Sequence, residues 1–435
     1  MCWRVEYVFL IIISTIVDYY SAIKIFKADS QKIKQRYLLL SLIINLGLLF
    51  TFKYLGLFTG ILNNILNVTN TGIQLNVINL ILPVGISFYT FQTLSYTIDV
   101  YRGKTKPEKH AGKFALYVSF FPQLVAGPIE RSNNLLPQIN SVYDFDYDRV
   151  TSGLKLMVWG FFKKIVIADR IAFIVSSVYA NPDGYHGWPI ILTLYLFFFQ
   201  IYCDFSGYSD IAIGAARVFG IRLMINFNRP YAAESFKEFW RRWHISLTTW
   251  FRDYVYIPLG GSKKGVFRIY FNIFVVFVLS GLWHGASVTF LIWGAFLGLL
   301  QILENIIHKD FKHKSINSSG ILRKTLNVTV IISLISFSTI FFGAGNVKTM
   351  TSLLKNMFLF DNTNTIGFIS KLEFIVSCFF ILIMIIIESY HAKHSITLKI
   401  KKLPVALRIL IYISSLLVIL LFGVFNQNDF IYFQF

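Results

Sequence analysis

The sequence predicts an all-α, polytopic membrane protein, a bundle of about 9–12 spanning or re-entrant helices in a single domain over residues 1–435. Three observations lead there. Charged residues make up 14% of the chain, against about 25% in ordinary globular proteins, too few to cover several soluble domains. Hydrophobic residues make up 55%, and aromatic residues 17%; the mean hydropathy is +0.60. The apolar residues are gathered into runs that approach the ~20 residues a helix needs to cross hydrocarbon. Disorder, a collagen-like fibre and a secreted disulfide scaffold are excluded together.

The expected spans lie near residues 5–23, 37–58, 76–98, 113–127, 153–176, 187–203, 266–283, 287–307, 325–344, 368–388 and 406–425. Several are short or broken by Gly and Pro, which suits re-entrant segments. The first run, Val8 to Val17, is followed by Asp18-Tyr-Tyr-Ser with no small-residue cleavage pattern, so it reads as a retained span. Basic breaks fall at 27–36, 102–113, 309–324 and 391–402, as expected of cytoplasmic loops; the uncharged stretch 63–74 suits the opposite side. The net charge of +19 therefore reads as positive-inside loops and contacts with anionic lipid headgroups, not as nucleic-acid binding. Cys2, Cys203 and Cys378 are isolated, and indicate neither a disulfide framework nor a metal site.

One region fits neither a span nor a solvated loop: NFNRPYAAESFKEFWRRWHISLTTWFRDYVYIPLGGSKK, residues 226–264. At 100° per residue, Phe236, Phe239, Trp240, Trp243, Leu247, Trp250, Phe251 and Tyr254 share one face. Lys237, Arg241 and Arg252 flank it. The spacing predicts an amphipathic helix over about 235–255, in the membrane interface or wedged between spans. Ser235 is its expected N-cap, with Glu238 completing a capping box, and Pro258-Leu-Gly-Gly its stop.

Six of the eight histidines (His110, His186, His308, His313, His391, His394) sit in polar or basic loops and read as exposed. His244 falls at the edge of the aromatic face, where either an interfacial hydrogen-bonded ring or a functional group fits. His284, in Ser280-Gly-Leu-Trp-His-Gly-Ala-Ser287, stands in a stretch from Ile269 to Leu300 without a charged side chain. An ionisable residue there is costly and marks a functional site by default; a structural histidine bonded to a neighbouring helix is the other reading. Gly281, Gly285 and Ala286 would let helices or an acyl chain approach closely. A buried neutral imidazole could accept a proton from a hydroxyl as that oxygen attacks a thioester. No GxSxG, GxxxxGK[ST] or HExxH motif competes. Asp204 and Asp210 could form an acid/base couple, or pair with Arg217, Arg222 or Arg229; Asp99 with Arg102, and Lys163-Lys164 with Asp169-Arg170, read as ion pairs at span ends.

The blocks LPVGISFYTFQTLSYTIDVYRG (82–103), FFPQLVAGPIER (120–131), GFFKKIVIADR (160–170), DFSGYSDIAIGAARVFGI (204–221), the NFNRPY-to-PLGGS segment (226–262), SGLWHGAS (280–287) and the closing FIYFQF (430–435) together resemble the membrane-bound O-acyltransferase superfamily. The match is to its bacterial polysaccharide branch, of the alginate O-acetyltransferase type, and it covers nearly the whole chain. The resemblance implies a helix bundle around a tunnel through a bacterial inner membrane. It places the family's invariant histidine on His284 and its second polar position on His244. It implies transfer of an acyl group, acetyl by preference, from a cytoplasmic thioester such as acetyl-CoA, a donor substrate and not a bound cofactor. The acceptor would be an exported polysaccharide, reached through a separate extracytoplasmic SGNH-type partner. Trp283, Asn228, Arg229, Arg241, Arg242 and Trp243 are expected to shape the site, with the basic edge of the 236–254 helix near the donor's phosphates. Relatives begin with further hydrophobic sequence, so a shortened N-terminus is expected; and Gly343 stands in TIFFGA where relatives carry an arginine. D-alanyl or long-chain acyl transfer by the same chemistry is one alternative, and a non-enzymatic transporter or flippase of a glycan or acyl donor another.

Overall fold

The computed structural model describes residues 5–70, 72–76, 80–311, 320–360, 371–393, 396–425 and 430–431. Among these, every regular element is helical. Much of the basic stretch 309–324 and most of the closing FIYFQF lie outside the described residues. Eight helices among the described residues are long and apolar enough to cross a membrane: Val8–Lys27, Gln31–Val68, Trp188–Val218, Val266–His284, Val288–Ile307, Ile321–Gly343, Leu372–Ala392 and Val405–Phe422. The chain is a multi-pass helical membrane protein, and shorter helices fill in between. It divides into two compact units.

The first unit comprises Met1–Arg149 with Ala216–Met224 and Trp283–Ala286. Its helices are α1 (Val8–Lys27), α2 (Gln31–Leu49), α3 (Leu55–Val68), α4 (Ile86–Tyr101), α5 (Ala111–Ser119), α6 (Phe121–Leu124) and α7 (Ser132–Ile139). A π-helical turn, Phe50–Tyr54, joins α2 to α3 without a break. The stretch expected to span at 113–127 is instead α5 and α6, nine and four residues long. At 1.5 Å per residue neither can cross ~30 Å of hydrocarbon, and Pro122 interrupts the run. α4 is buried along nearly its whole length, which explains its mixture of aromatic and hydroxyl residues. Its polar side chains meet those of α1 and α2 around Asp18: Ser41, Asn45 (2.9 Å to Oδ2) and Thr97 (3.1 Å) all donate to that fully buried carboxylate. A buried carboxylate in such surroundings must be satisfied by donors, and these donors tie three helices together.

The second unit comprises Val150–Ala215, Ile225–Leu282 and Ser287–Phe435. It holds most of α8 (Tyr147–Phe161), α9 (Asp169–Ala180), α10 (Trp188–Val218), α11 (Phe236–Arg242), α12 (Ile245–Phe251), α13 (Val266–His284), α14 (Val288–Phe311), α15 (Ile321–Gly343), α16 (Val347–Asn356), α17 (Lys371–Lys393), α18 (Ile396–Lys401) and α19 (Val405–Phe422). α10 is one 31-residue helix that runs through the DFSGYSD block. A Cβ added at Gly207 would lie 2.7 Å from the Gly160 carbonyl, so α8 and α10 touch backbone to backbone. That approach sets the two lysines of GFFKKIVIADR, on the π-helical turn Phe162–Ala168, against the acids of α10. Lys163 Nζ lies 2.6 Å from Asp210 and 3.5 Å from Glu388 of α17, and Lys164 Nζ lies 2.6 Å from Asp204 and 2.8 Å from Asp169. The arginines 217, 222 and 229 are the partners expected for Asp204 and Asp210; the ion pairs seen within this unit come from lysines of the neighbouring helix. Arg170 pairs with Glu373.

Candidate active site

The 226–264 segment carries the first candidate histidine. Its apolar face is buried as the periodicity predicts: Phe236, Phe239, Trp243, Leu247, Trp250 and Phe251 are all core residues, while Lys237, Arg241 and Arg252 are exposed. The face packs inside the second unit, so the segment is wedged into protein. Ser235 caps α11 by accepting from the Glu238 amide (3.1 Å). Glu304 of α14 accepts the next two orphan amides, those of Phe236 and Lys237, a carboxylate at the positive end of a helix.

The segment is not one helix. α11 ends at Arg242, and His244 adopts a left-handed conformation (φ 42°, ψ 53°) before α12 starts at Ile245. An L-residue there costs roughly 1–2 kcal/mol, and breaking a helix strands its carbonyls and amides. The NFN stretch takes up both: the Asn228 amide donates to the Arg242 carbonyl (2.9 Å), and the Ile245 amide to the Asn226 carbonyl (2.9 Å). Periodicity along 236–254 cannot register this tertiary pairing. The Asn226 side chain locks it, donating to Ser209 (3.1 Å) and accepting from Ser246 (2.6 Å). The break turns His244 inward, 1% exposed, with the Phe205 ring edge-on to it at 4.6 Å. Burial pushes the imidazole down to about 3, so it is neutral at physiological pH.

The other residues expected around His244 are brought together in this unit in different settings. Trp243 stacks between Phe239 (5.4 Å) and Phe198 (5.9 Å). Arg242 is engaged by Glu238 (2.6 Å), and also donates to the Asn228 and Arg229 carbonyls. Asn228 and Arg241 are exposed, and Arg229 is left-handed (φ 48°) at the start of the NRPY turn. Trp243 also lines a small cavity of about 30 Å³, together with Trp240, Trp293, Ser338 and Phe342 among others. At Gly343 an added Cβ would lie 2.5 Å from the Phe197 ring and 2.8 Å from the Tyr179 ring. The space where an arginine side chain would start at this position is filled here by aromatic packing.

His284 belongs to the first unit. It is the last residue of α13, 5% exposed. α13 and α14 are drawn together in the second unit at Gly281, where a Cβ would meet the Phe290 carbonyl at 2.3 Å. The preceding Trp283 is packed edge-on to Phe88 (5.2 Å) and against Phe91 (5.6 Å), both on α4, and its ring meets the His284 imidazole edge-on at 4.9 Å. One group in this cluster was missed in the sequence. Lys53, on the π-turn between α2 and α3, donates to the Trp283 carbonyl (2.6 Å) and the His284 carbonyl (3.1 Å). The signal was available: Lys53 is the sole charged side chain between Arg36 and Asp99.

Comparison with known proteins adds to this geometry. Residues 109–344 match the model of MBOAT, the membrane-bound O-acyltransferase family. The chain is 38% identical over 362 residues to the "probable alginate O-acetylase AlgI" of Pseudomonas aeruginosa, covering 82% of this chain and 67% of that protein. It is 35% identical over 382 residues to the peptidoglycan O-acetyltransferase of Helicobacter pylori (82% and 71%), and 28% identical over 280 residues to the teichoic acid D-alanyltransferase of Bacillus subtilis (61% and 68%). The chain spans about two thirds of the length of the curated relatives it matches.

Proposed function

The chain belongs to the membrane-bound O-acyltransferase family, and from that premise we propose that it transfers an acetyl group from a cytoplasmic thioester, acetyl-CoA, to hydroxyls of an exported polysaccharide in a bacterial inner membrane. The observation that carries this reading is the buried His284 at the end of a membrane-spanning helix, because an imidazole in such a place is expensive unless it works.

In the proposed reaction His284 is the general base. It takes the proton of the acceptor hydroxyl while the oxygen attacks the thioester carbonyl. The tetrahedral intermediate then expels the coenzyme A thiolate, which receives that proton from the imidazolium. Donor and acceptor reach the ring through a passage; the hydroxyl acetylated there belongs to a separate extracytoplasmic SGNH-type protein, which passes the acetyl group to a glycan hydroxyl in a second ester exchange and regains its own hydroxyl. His244, held neutral by burial, is the second polar group of the proposal; Trp283, whose ring meets the His284 imidazole, shapes the setting of the base, and Trp243 that of His244. Asn228, Arg229 and Arg242 hold the turn on which His244 sits, through the backbone and guanidinium bonds they share. Arg242 is already committed to Glu238, so the exposed Arg241 is the better placed to meet the donor's phosphates.

The test uses cells without their own copy of the gene, complemented with the parent or with His284→Ala, and measures base-labile acetate on surface polysaccharide. Inverted membranes from the same cells are given labelled acetyl-CoA. The parent should transfer label and the variant should lose at least a hundredfold in rate. Transfer by His284→Ala at the parental rate would refute the enzymatic role of this residue and favour a carrier without chemistry.

A further inference from the structure

Lys53 has no part in the proposed reaction, yet it places a cation against the backbone that carries His284. It lies within the 38-residue helical stretch Gln31–Val68, where a lysine costs about 2.5–3.5 kcal/mol at the helix centre. Such a charge is kept where something binds it. Here both hydrogen bonds of the ammonium among the described residues go to main-chain carbonyls, those of Trp283 and His284. These are the last two residues of α13, whose terminal carbonyls have no amide of their own helix to accept from. They also form the negative end of its dipole. The ammonium stands 6.0 Å from the centre of the Trp283 ring. The π-turn Phe50–Tyr54 that carries Lys53 inserts an extra residue into the helix, a distortion frequent at functional sites.

We propose that Lys53 is a positioning residue for His284: its ammonium clamps the two carbonyls that end α13 and so fixes the main chain from which the imidazole projects. Lys53 meets the backbone from α2–α3 while Phe88 and Phe91 of α4 hold the Trp283 indole. The turn that presents His284 is thus gripped by two helices of the first unit. A clamp suits a base that must sit within about half an ångström of its target, since a 1 Å displacement can cost about a hundredfold in rate. A serine or an ordered water could satisfy the same carbonyls only with a neutral donor; the lysine adds charge where the dipole is negative. The proposal rests on the reading of His284 as the base, and extends it to a residue that touches neither substrate.

The test compares Lys53→Met, Lys53→Gln and Lys53→Arg with the parent and with His284→Ala, all as full-length chains in inverted membranes given labelled acetyl-CoA. Protein amount is measured by immunoblot. Lys53→Met should lower kcat at least tenfold, leaving KM for acetyl-CoA within twofold, because donor contacts remain and the base is displaced. Lys53→Gln should fall between, and Lys53→Arg should recover to within about threefold of the parent. If Lys53→Met keeps its kcat within twofold while His284→Ala is inactive, the clamp is wrong and the acyltransferase reading stands. If His284→Ala is itself fully active, the failure lies in that reading. If Lys53→Met and Lys53→Gln both fail to accumulate while Lys53→Arg does, or if KM rises in step with the fall in kcat, Lys53 serves folding or donor binding and the proposal is overturned.

Discussion

Lowering the pH from 7 to 5 should cost this protein about 2 kcal/mol of stability through His244 alone. The ring is 1% exposed, and burial lowers it from the ordinary 6.5 to about 3. Between those two values the unfolded chain binds a proton on this side chain and the folded chain does not. Stability contributed by the neutral ring is therefore complete above about pH 6.5 and falls as the pH drops, at 1.36 kcal/mol per unit, until the folded ring itself titrates near 3. At pH 5 the deficit spans 1.5 units below 6.5, which is about 30-fold in the folding equilibrium. The perturbation to compare is His244→Gln, which keeps a polar planar group and cannot titrate. Unfolding free energies from denaturing-detergent titrations in mixed micelles, at pH 7 and pH 5, give the difference for each protein. All other titrating groups enter both differences equally. The parent should lose about 2 kcal/mol more than the variant on going to pH 5. Equal losses would show that the imidazole is solvated or charged in the folded protein, and the burial argument would fall.

Two further perturbations follow from the packing of the second unit. Lys164→Met leaves Asp169 and Asp204, both almost fully buried, without their shared cation, and should cost about 3–5 kcal/mol. The triple change Lys164→Met, Asp169→Asn, Asp204→Asn should recover most of that, since an asparagine oxygen at 204 can still accept the Ile431 amide (2.8 Å); thermal unfolding in detergent compares the three proteins, and a harmless single change would refute the pairing. Gly343→Arg introduces the residue type that the family resemblance leads one to expect there, but its side chain starts 2.5 Å from Phe197. It should lower stability by about 1–3 kcal/mol without raising acetyl transfer, measured by the same thermal and labelled acetyl-CoA assays; a gain in activity would show that the site lacks that arginine.

The contrast between His284 and His244 shows what each level of information holds. His284 stands out in the sequence because its surroundings are uncharged for many residues on both sides, and hydrocarbon penalises an ionisable group wherever the chain happens to fold. The same logic, applied to the run from Arg36 to Asp99, would have singled out Lys53; only its partners required coordinates. Apolar runs likewise fixed the class, since eight helices among the described residues have the length and composition to cross a membrane. They could not separate α5 and α6 from a span, because both present apolar residues and differ from a span only in where the helix stops.

The sequence by itself determined that this is a helical membrane protein, which face of the 236–254 segment is buried, and that residue 284 is costly where it stands. Those are consequences of solvent, and a solvent preference is a property of each residue and its near neighbours. The tertiary structure decided that the segment breaks at His244, that Lys163 and Lys164 stand against Asp210 and Asp204, and that a lysine from a distant helix grips the end of α13. Each of these depends on a hydrogen bond or ion pair between segments far apart in the chain, and no local pattern encodes the partner that only folding brings within reach.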